Sequence, residues 1–168
     1  LTRNPELFCN AEPALYAFEN FSFITGDIQT FEVPNLDFTH LIHSAADSGD
    51  HVLRTDPIRM FESIVGGAQR VLEFARRCRV KRLLWVSSGA VYGVPTDPKD
   101  EFSEDWGGQG VNCLEVSSAY TVAKRAGEML CTLYQNQWGV DVSIARCFTF
   151  VGPYLPLTVN YAIGNFID

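Results

Sequence analysis

Tyr120 and Lys124 stand four residues apart, a spacing that brings a phenol and an ammonium onto neighbouring turns of one helical face. A cation beside a phenol favours the phenolate and draws its pKa down from about 10, so a tyrosine can act as general base or acid near neutrality. Pairs of this kind also arise by chance on solvated helices, and the spacing alone does not separate the two readings. Upstream, Ser87 and Ser88 end the apolar run Leu83, Leu84, Trp85, Val86. A serine at the carboxyl end of a buried strand can donate to a substrate oxygen while a phenolate takes its proton. It can equally do no more than satisfy turn backbone groups.

The elements that must position these residues follow from hydrophobic pattern. Residues 40–43, 82–86 and 140–145 are strand-length runs rich in branched or aromatic residues, and residues 21–25 suggest a fourth. Phe61, Ile64, Val65, Ala68, Val71, Leu72, Ala75 and Cys78 recur at helical spacing, which predicts an amphipathic helix over 57–79 with Pro57 in its first turn. Val122, Ala126, Met129, Leu130, Leu133 and Tyr134 predict a second over 118–138, stopped by Gly139. The order β-β-α-β-α-β implies an α/β doubly wound parallel sheet. Residues 94–117 hold prolines, glycines and acids with little periodicity, a long loop between a strand end and the helix of Tyr120.

Composition narrows the function classes. The chain has 168 residues, enough for one domain, and a net charge of −7 with no cationic run beyond pairs, which argues against nucleic acid or an anionic membrane as partner. A small-molecule partner is expected instead. The five cysteines are odd in number and form no CxxC pair, so neither a zinc site nor a disulfide framework is expected, and a reducing cytoplasmic location is the simpler reading. No stretch approaches the roughly 20 apolar residues of a membrane span.

Three segments in order carry a resemblance: the strand ending Ser87-Ser88-Gly89-Ala90-Val91-Tyr92-Gly93, the helix with Tyr120-Thr121-Val122-Ala123-Lys124, and Arg146-Cys147-Phe148-Thr149-Phe150-Val151-Gly152-Pro153 after the next strand. Together they resemble the extended short-chain dehydrogenase/reductases, the nucleotide-sugar epimerase/dehydratase family. Thr25-Gly26-Asp27-Ile28, His43-Ser44-Ala45-Ala46 and Ser63-Ile64-Val65-Gly66-Gly67 are similar to further turns and strand ends of that family. The resemblance implies a Rossmann-like domain, NAD or NADP as cofactor, a nucleotide-sugar substrate and a homodimer. It implies Tyr120 as catalytic base or acid, Lys124 as the residue that holds the nicotinamide ribose and tunes Tyr120, and Ser88 as the donor to the reacting sugar oxygen. Asp27, Ile28, Ser44, Ala45, Ala46, Ser63, Ser87 and Phe148 would line the cofactor with Tyr120 and Lys124. Thr149 and Asn165 would face the substrate.

Departures from the family pattern sharpen these expectations. No glycine-rich phosphate loop of the GxxGxxG kind is present, and Leu1 to Pro5 resembles the end of the family's second strand. The fold as given is therefore expected to be incomplete: one NAD(P)-binding domain over 1–168 without the first βαβ unit and the C-terminal substrate lobe. Gly89 and Ala90 occupy the positions where 4,6-dehydratases of the family carry two acids, which disfavours 4,6-dehydration. Arg3 could pair with a 2'-phosphate and so favour NADP. Two other readings stay open: a reductase or dehydrogenase of a non-sugar alcohol or ketone, and a non-catalytic dinucleotide-binding module.

Overall fold

The computed structural model describes residues 1–11, 20–34, 36–46, 50–95, 97, 101–108 and 110–149. In chain order these hold helix α1 (Pro5–Ala11), strand β1 (His40–His43), helices α2 (Asp50–Thr55) and α3 (Pro57–Arg77), strand β2 (Arg82–Ser88), helix α4 (Ala119–Trp138) and strand β3 (Val142–Cys147). A 3-10 turn, Gly89–Tyr92, follows β2, and another, Val116–Ser118, precedes α4.

Among the described residues the three strands form one parallel sheet in the order β1-β2-β3. Both crossovers run through a long helix, and α3 and α4 pack on each other, so they cover the same face of the sheet. Trp85, Met60, Ile64, Leu72, Leu83 and Cys131 are the largest fully buried side chains, and the core lies between that face and the two helices. Along β2, Leu83, Trp85 and Ser87 are buried while the residues between them are partly open, the alternation a pleated strand imposes.

Local chemistry explains the helix ends. Asp56 caps α3, its Oδ1 accepting from the Arg59 amide (3.0 Å), and Pro57 takes the first turn, where no amide partner is needed. Gly139 ends α4 in the left-handed conformation (φ 68°). The expected helices and the strands at 40–43 and 82–86 are present within a residue or two. The third strand lies two residues later than expected, because Val140 is spent on the core before the ladder with β2 begins at Val142. The strand expected at 21–25 is not formed. Only Thr25 pairs, in an isolated parallel bridge with Thr2, while Phe21 and Phe23 pack against Phe8 of α1 with ring centroids 5.0–5.7 Å apart. Beyond that bridge, no strand among the described residues offers residues 21–24 a ladder. Helix α1 was not expected from the pattern. Pro5 opens it, and Asn4 Oδ1 accepts from the Leu7 amide (3.0 Å).

Two features of this core are open to measurement. Gly127 faces Trp85, and a β-carbon there would overlap the indole Cζ2. A helical Gly→Ala change ordinarily stabilises by up to about 1 kcal/mol; here Gly127→Ala should instead destabilise, by roughly 1–3 kcal/mol, as read by urea unfolding. His43 is buried with its ring edge-on to Trp85 at 4.7 Å, and burial, with the Lys124 cation adding to it, lowers its pKa from 6.5 to about 4. The unfolded chain therefore binds a proton that the folded chain refuses between those values. Stability should be full above pH 6.5 and fall as the pH drops from there toward 4, at up to about 1.4 kcal/mol per unit. His43→Phe should flatten this part of the pH–stability curve.

Candidate functional site

Helix α4 carries Tyr120 and Lys124 on one face, and Gly127 lets that face approach β2 closely enough for the Lys124 ammonium to reach beneath the strand. Lys124 is buried, 5 % exposed, and its Nζ donates to the Val86 carbonyl (2.9 Å), two residues before Ser88. The ammonium also lies 5.2 Å from the centre of the Trp85 ring and 5.9 Å from that of Tyr120, within the range of a favourable cation–ring interaction. Burial holds the Lys124 pKa below its ordinary value, while Cys147 and Glu128 pull it back up. Tyr120 is partly buried and packs on the core.

The two serines at the end of β2 divide. Ser88 caps the following turn, its Oγ accepting from the Ala90 amide (3.2 Å), which leaves its hydroxyl proton to donate. Ser87, expected on the cofactor, faces the helices: it is 4 % exposed and donates to Glu128 Oε1 (2.6 Å). Its hydroxyl is committed to α4.

Glu128 and Arg146 are the residues that sequence reasoning missed as a site. Arg146 of β3 is the register partner of Ser87 and donates to Glu128 through Nε (3.1 Å) and Nη2 (2.8 Å). Nη1 donates to the Glu104 carbonyl in the loop (2.6 Å), and the guanidinium lies 4.8 Å from the centre of the Tyr92 ring. Tyr92 is stacked between Phe102 (5.2 Å) and Phe148 (5.9 Å). Arg125 donates twice to the Val91 carbonyl (3.0 and 2.7 Å), fixing the turn after β2 to α4. The signal available was Glu128 itself, one helical turn beyond Lys124 on the same face.

A second group of expected residues gathers elsewhere. Arg3, Asp27, Ile28, Ala45, Ala46 and Ser63 line one cavity of about 230 Å³. Gly67 makes room for it: a β-carbon there would meet Ile28 at 3.2 Å, and Gln29 Nε2 donates to the Glu62 carbonyl (3.0 Å), so the turn around Asp27 lies directly on α3. Asp27 Oδ1 accepts from the Gln29 amide (2.9 Å), and Oδ2 faces Arg3 at 3.9 Å across an exposed ion pair. Ser44 lines the adjoining cavity, between Leu1 and β1. Phe148, 73 % exposed, and the exposed Thr149 follow β3. Asn165 and residues 150–153 lie outside the described residues. Gly26, Ala45, Ala46 and Ser63 are small, and they line the cavity beside the Asp27 carboxylate. These residues fit the nucleoside end of a dinucleotide.

The chain is similar in sequence and fold to known proteins. The family model described as the NAD dependent epimerase/dehydratase family matches residues 2–167. UDP-glucuronic acid decarboxylase 1 of Xenopus tropicalis is 31 % identical over 150 residues, covering 89 % of this chain and 34 % of its own length. Among solved structures, UDP-glucuronic acid 4-epimerase from Bacillus cereus, in complex with UDP-glucuronic acid and NAD, superposes with a TM-score of 0.74 at 25 % identity, covering 91 % of this chain and 47 % of that one. DesIV, a dTDP-glucose 4,6-dehydratase from Streptomyces venezuelae with NAD and TYD bound, gives a TM-score of 0.71 at 26 % identity, covering 84 % and 42 %. The chain thus spans about a third of the length of the curated relative and under half of the solved ones. With the parallel sheet, the crossover helices and a family match running nearly end to end, the chain belongs to the NAD dependent epimerase/dehydratase family.

Proposed function

We propose that residues 1–168 are the NAD(P)-binding body of an enzyme that oxidises a nucleotide-sugar hydroxyl, with Tyr120, Lys124 and Ser88 as its catalytic residues. The observation that carries this is the buried Lys124 ammonium, one turn from Tyr120 and bonded to the strand end that presents Ser88. Arg3, Asp27, Ile28, Ala45, Ala46 and Ser63 would hold the adenosine half of the cofactor, and Ser44 and Phe148 would lie along it. When bound, the nicotinamide supplies the hydride acceptor. The phenolic oxygen of Tyr120 takes the sugar hydroxyl proton, and the Ser88 hydroxyl donates to the same oxygen. Lys124 places a positive charge beside the Tyr120 ring.

The substrate we assign is a UDP-hexuronate, the class named for both the Xenopus decarboxylase and the Bacillus epimerase. A 4,6-dehydration is disfavoured although a dehydratase is among the structural neighbours. Positions 89 and 90 are glycine and alanine, and neither carries the acid that elimination would use. Thr149 and Asn165 are assigned to the sugar nucleotide. The carboxylate of Asp27 beside Arg3 engages that guanidinium, which weighs against a 2'-phosphate there and toward NAD. The exposed Ile58, Met129 and Leu133 on α3 and α4 support a homodimer through these helices. Five free cysteines suit a cytoplasmic enzyme, and no helix among the described residues is long and apolar enough to cross a membrane.

Thermal shift of the full-length protein tests the ligand assignments, since a ligand that binds only the folded state raises the melting temperature. NAD and UDP-glucuronate should each raise it. Stabilisation by dinucleotides alone would move the substrate to a non-sugar alcohol or ketone, and stabilisation without any turnover would leave a binding module. Tyr120→Phe should keep the fold and lower kcat by about 10²-fold or more; near-normal turnover would remove Tyr120 from the role.

A further inference from the structure

Glu128 is a carboxylate with 12 % of its side chain exposed, at a place where an apolar residue would pack more cheaply. It follows Tyr120 and Lys124 at successive four-residue steps along α4, so all three share a face. Its two oxygens accept from Ser87 on β2 and, twice, from Arg146 on β3. Ser87 and Arg146 are opposite each other in the ladder, and the next pair along is Ser88 and Cys147. One carboxylate therefore ties the helix of Tyr120 and Lys124 to both strands, one residue short of Ser88. Arg146 extends the tie to the loop through the Glu104 carbonyl and to the aromatic stack through Tyr92.

We propose that Glu128, held by Arg146 and Ser87, is a positioning residue of this site: it sets the phase of α4 against the carboxyl ends of β2 and β3, and with it the placement of Tyr120 and Lys124 relative to Ser88. The inference rests on the catalytic reading above. The same carboxylate counters the effect of burial on Lys124. Lys124 is faced by Tyr120 and Glu128 on its own helix, by His43 from β1 and by Cys147 from β3. Of these only Glu128 is a carboxylate, so removing its charge leaves the ammonium less favoured and makes it lose its proton at lower pH.

The test is Glu128→Gln in the full-length protein, with Arg146→Lys as a partner variant that keeps the cation but loses the two-pronged geometry. With UDP-glucuronate and NAD, kcat of Glu128→Gln should fall about 10- to 100-fold with KM changed much less, as expected of a displaced rather than a missing group. The alkaline limb of its pH–kcat profile should move to lower pH. Glu128→Asp should recover part of kcat and return the limb toward its original position. A residue that only stabilises the fold would lower the melting temperature and leave that limb in place, and such a result would overturn the proposal. If the wild type turns over no nucleotide sugar, the catalytic reading falls by itself. The tie is then judged by ¹³C-methyl-lysine NMR, with Lys124→Ala for assignment: a Lys124 pKa lower in Glu128→Gln than in the wild type upholds it, and equal values refute it.

Discussion

An ammonium ion placed beneath a parallel sheet is the constraint around which the described structure is organised. Taking a charge out of water costs several kcal/mol even after relaxation, so each neighbour of Lys124 must return part of that cost. The Val86 carbonyl accepts from it, the Trp85 face lies 5.2 Å away, and Glu128 stands one turn along the helix. Those three groups come from β2 and α4, and they can meet only if the two elements approach closely. Gly127 is where the approach happens, since any side chain there would displace the indole. The glycine therefore belongs to the site as much as the lysine does, although it touches nothing reactive.

The same closeness determines which hydroxyl at the strand end is open to a ligand. In an extended strand successive side chains leave opposite faces, so two adjacent serines cannot both look toward the helices. Ser87 shares the inward face with Leu83 and Trp85, and once buried it needs an acceptor, which Glu128 supplies. Ser88, the last residue of the strand, caps the turn and keeps a proton to give. A pair that reads as redundant in one dimension thus splits into a structural member and an available one. The division follows from the strand period and from the helix that covers one face.

How much of this could be read from the residues depended on whether one element sufficed to carry the signal. Helices α3 and α4 and strands β1 and β2 were legible because periodicity, the Asp56-Pro57 start and the Gly139 stop are local features. Residues 21–25 read as a strand because phenylalanine and isoleucine favour one, yet a ladder needs a partner, and the rings packed on Phe8 instead. Helix α1 had a usable start in Asn4-Pro5 that periodicity over seven residues was too short to reinforce. Of the site, Tyr120, Lys124 and Ser88 stood out by chemistry, and six expected cofactor residues fell around one cavity. Glu128 and Arg146 did not stand out, because a charged residue on a helix or strand ordinarily reads as solvated. Only the ladder pairing of Ser87 with Arg146, a relation across 59 residues of chain, shows that they come together at the strand ends.

Burial first, and the Lys124 cation second, hold His43 neutral. Lys124 is buried near the strand ends, and the partly exposed Arg146–Glu128 pair lies beside it. A protonated His43, edge-on to the same Trp85, would add a third cation without adding a counterion, and its pKa is accordingly pushed down to about 4 by burial and by Lys124.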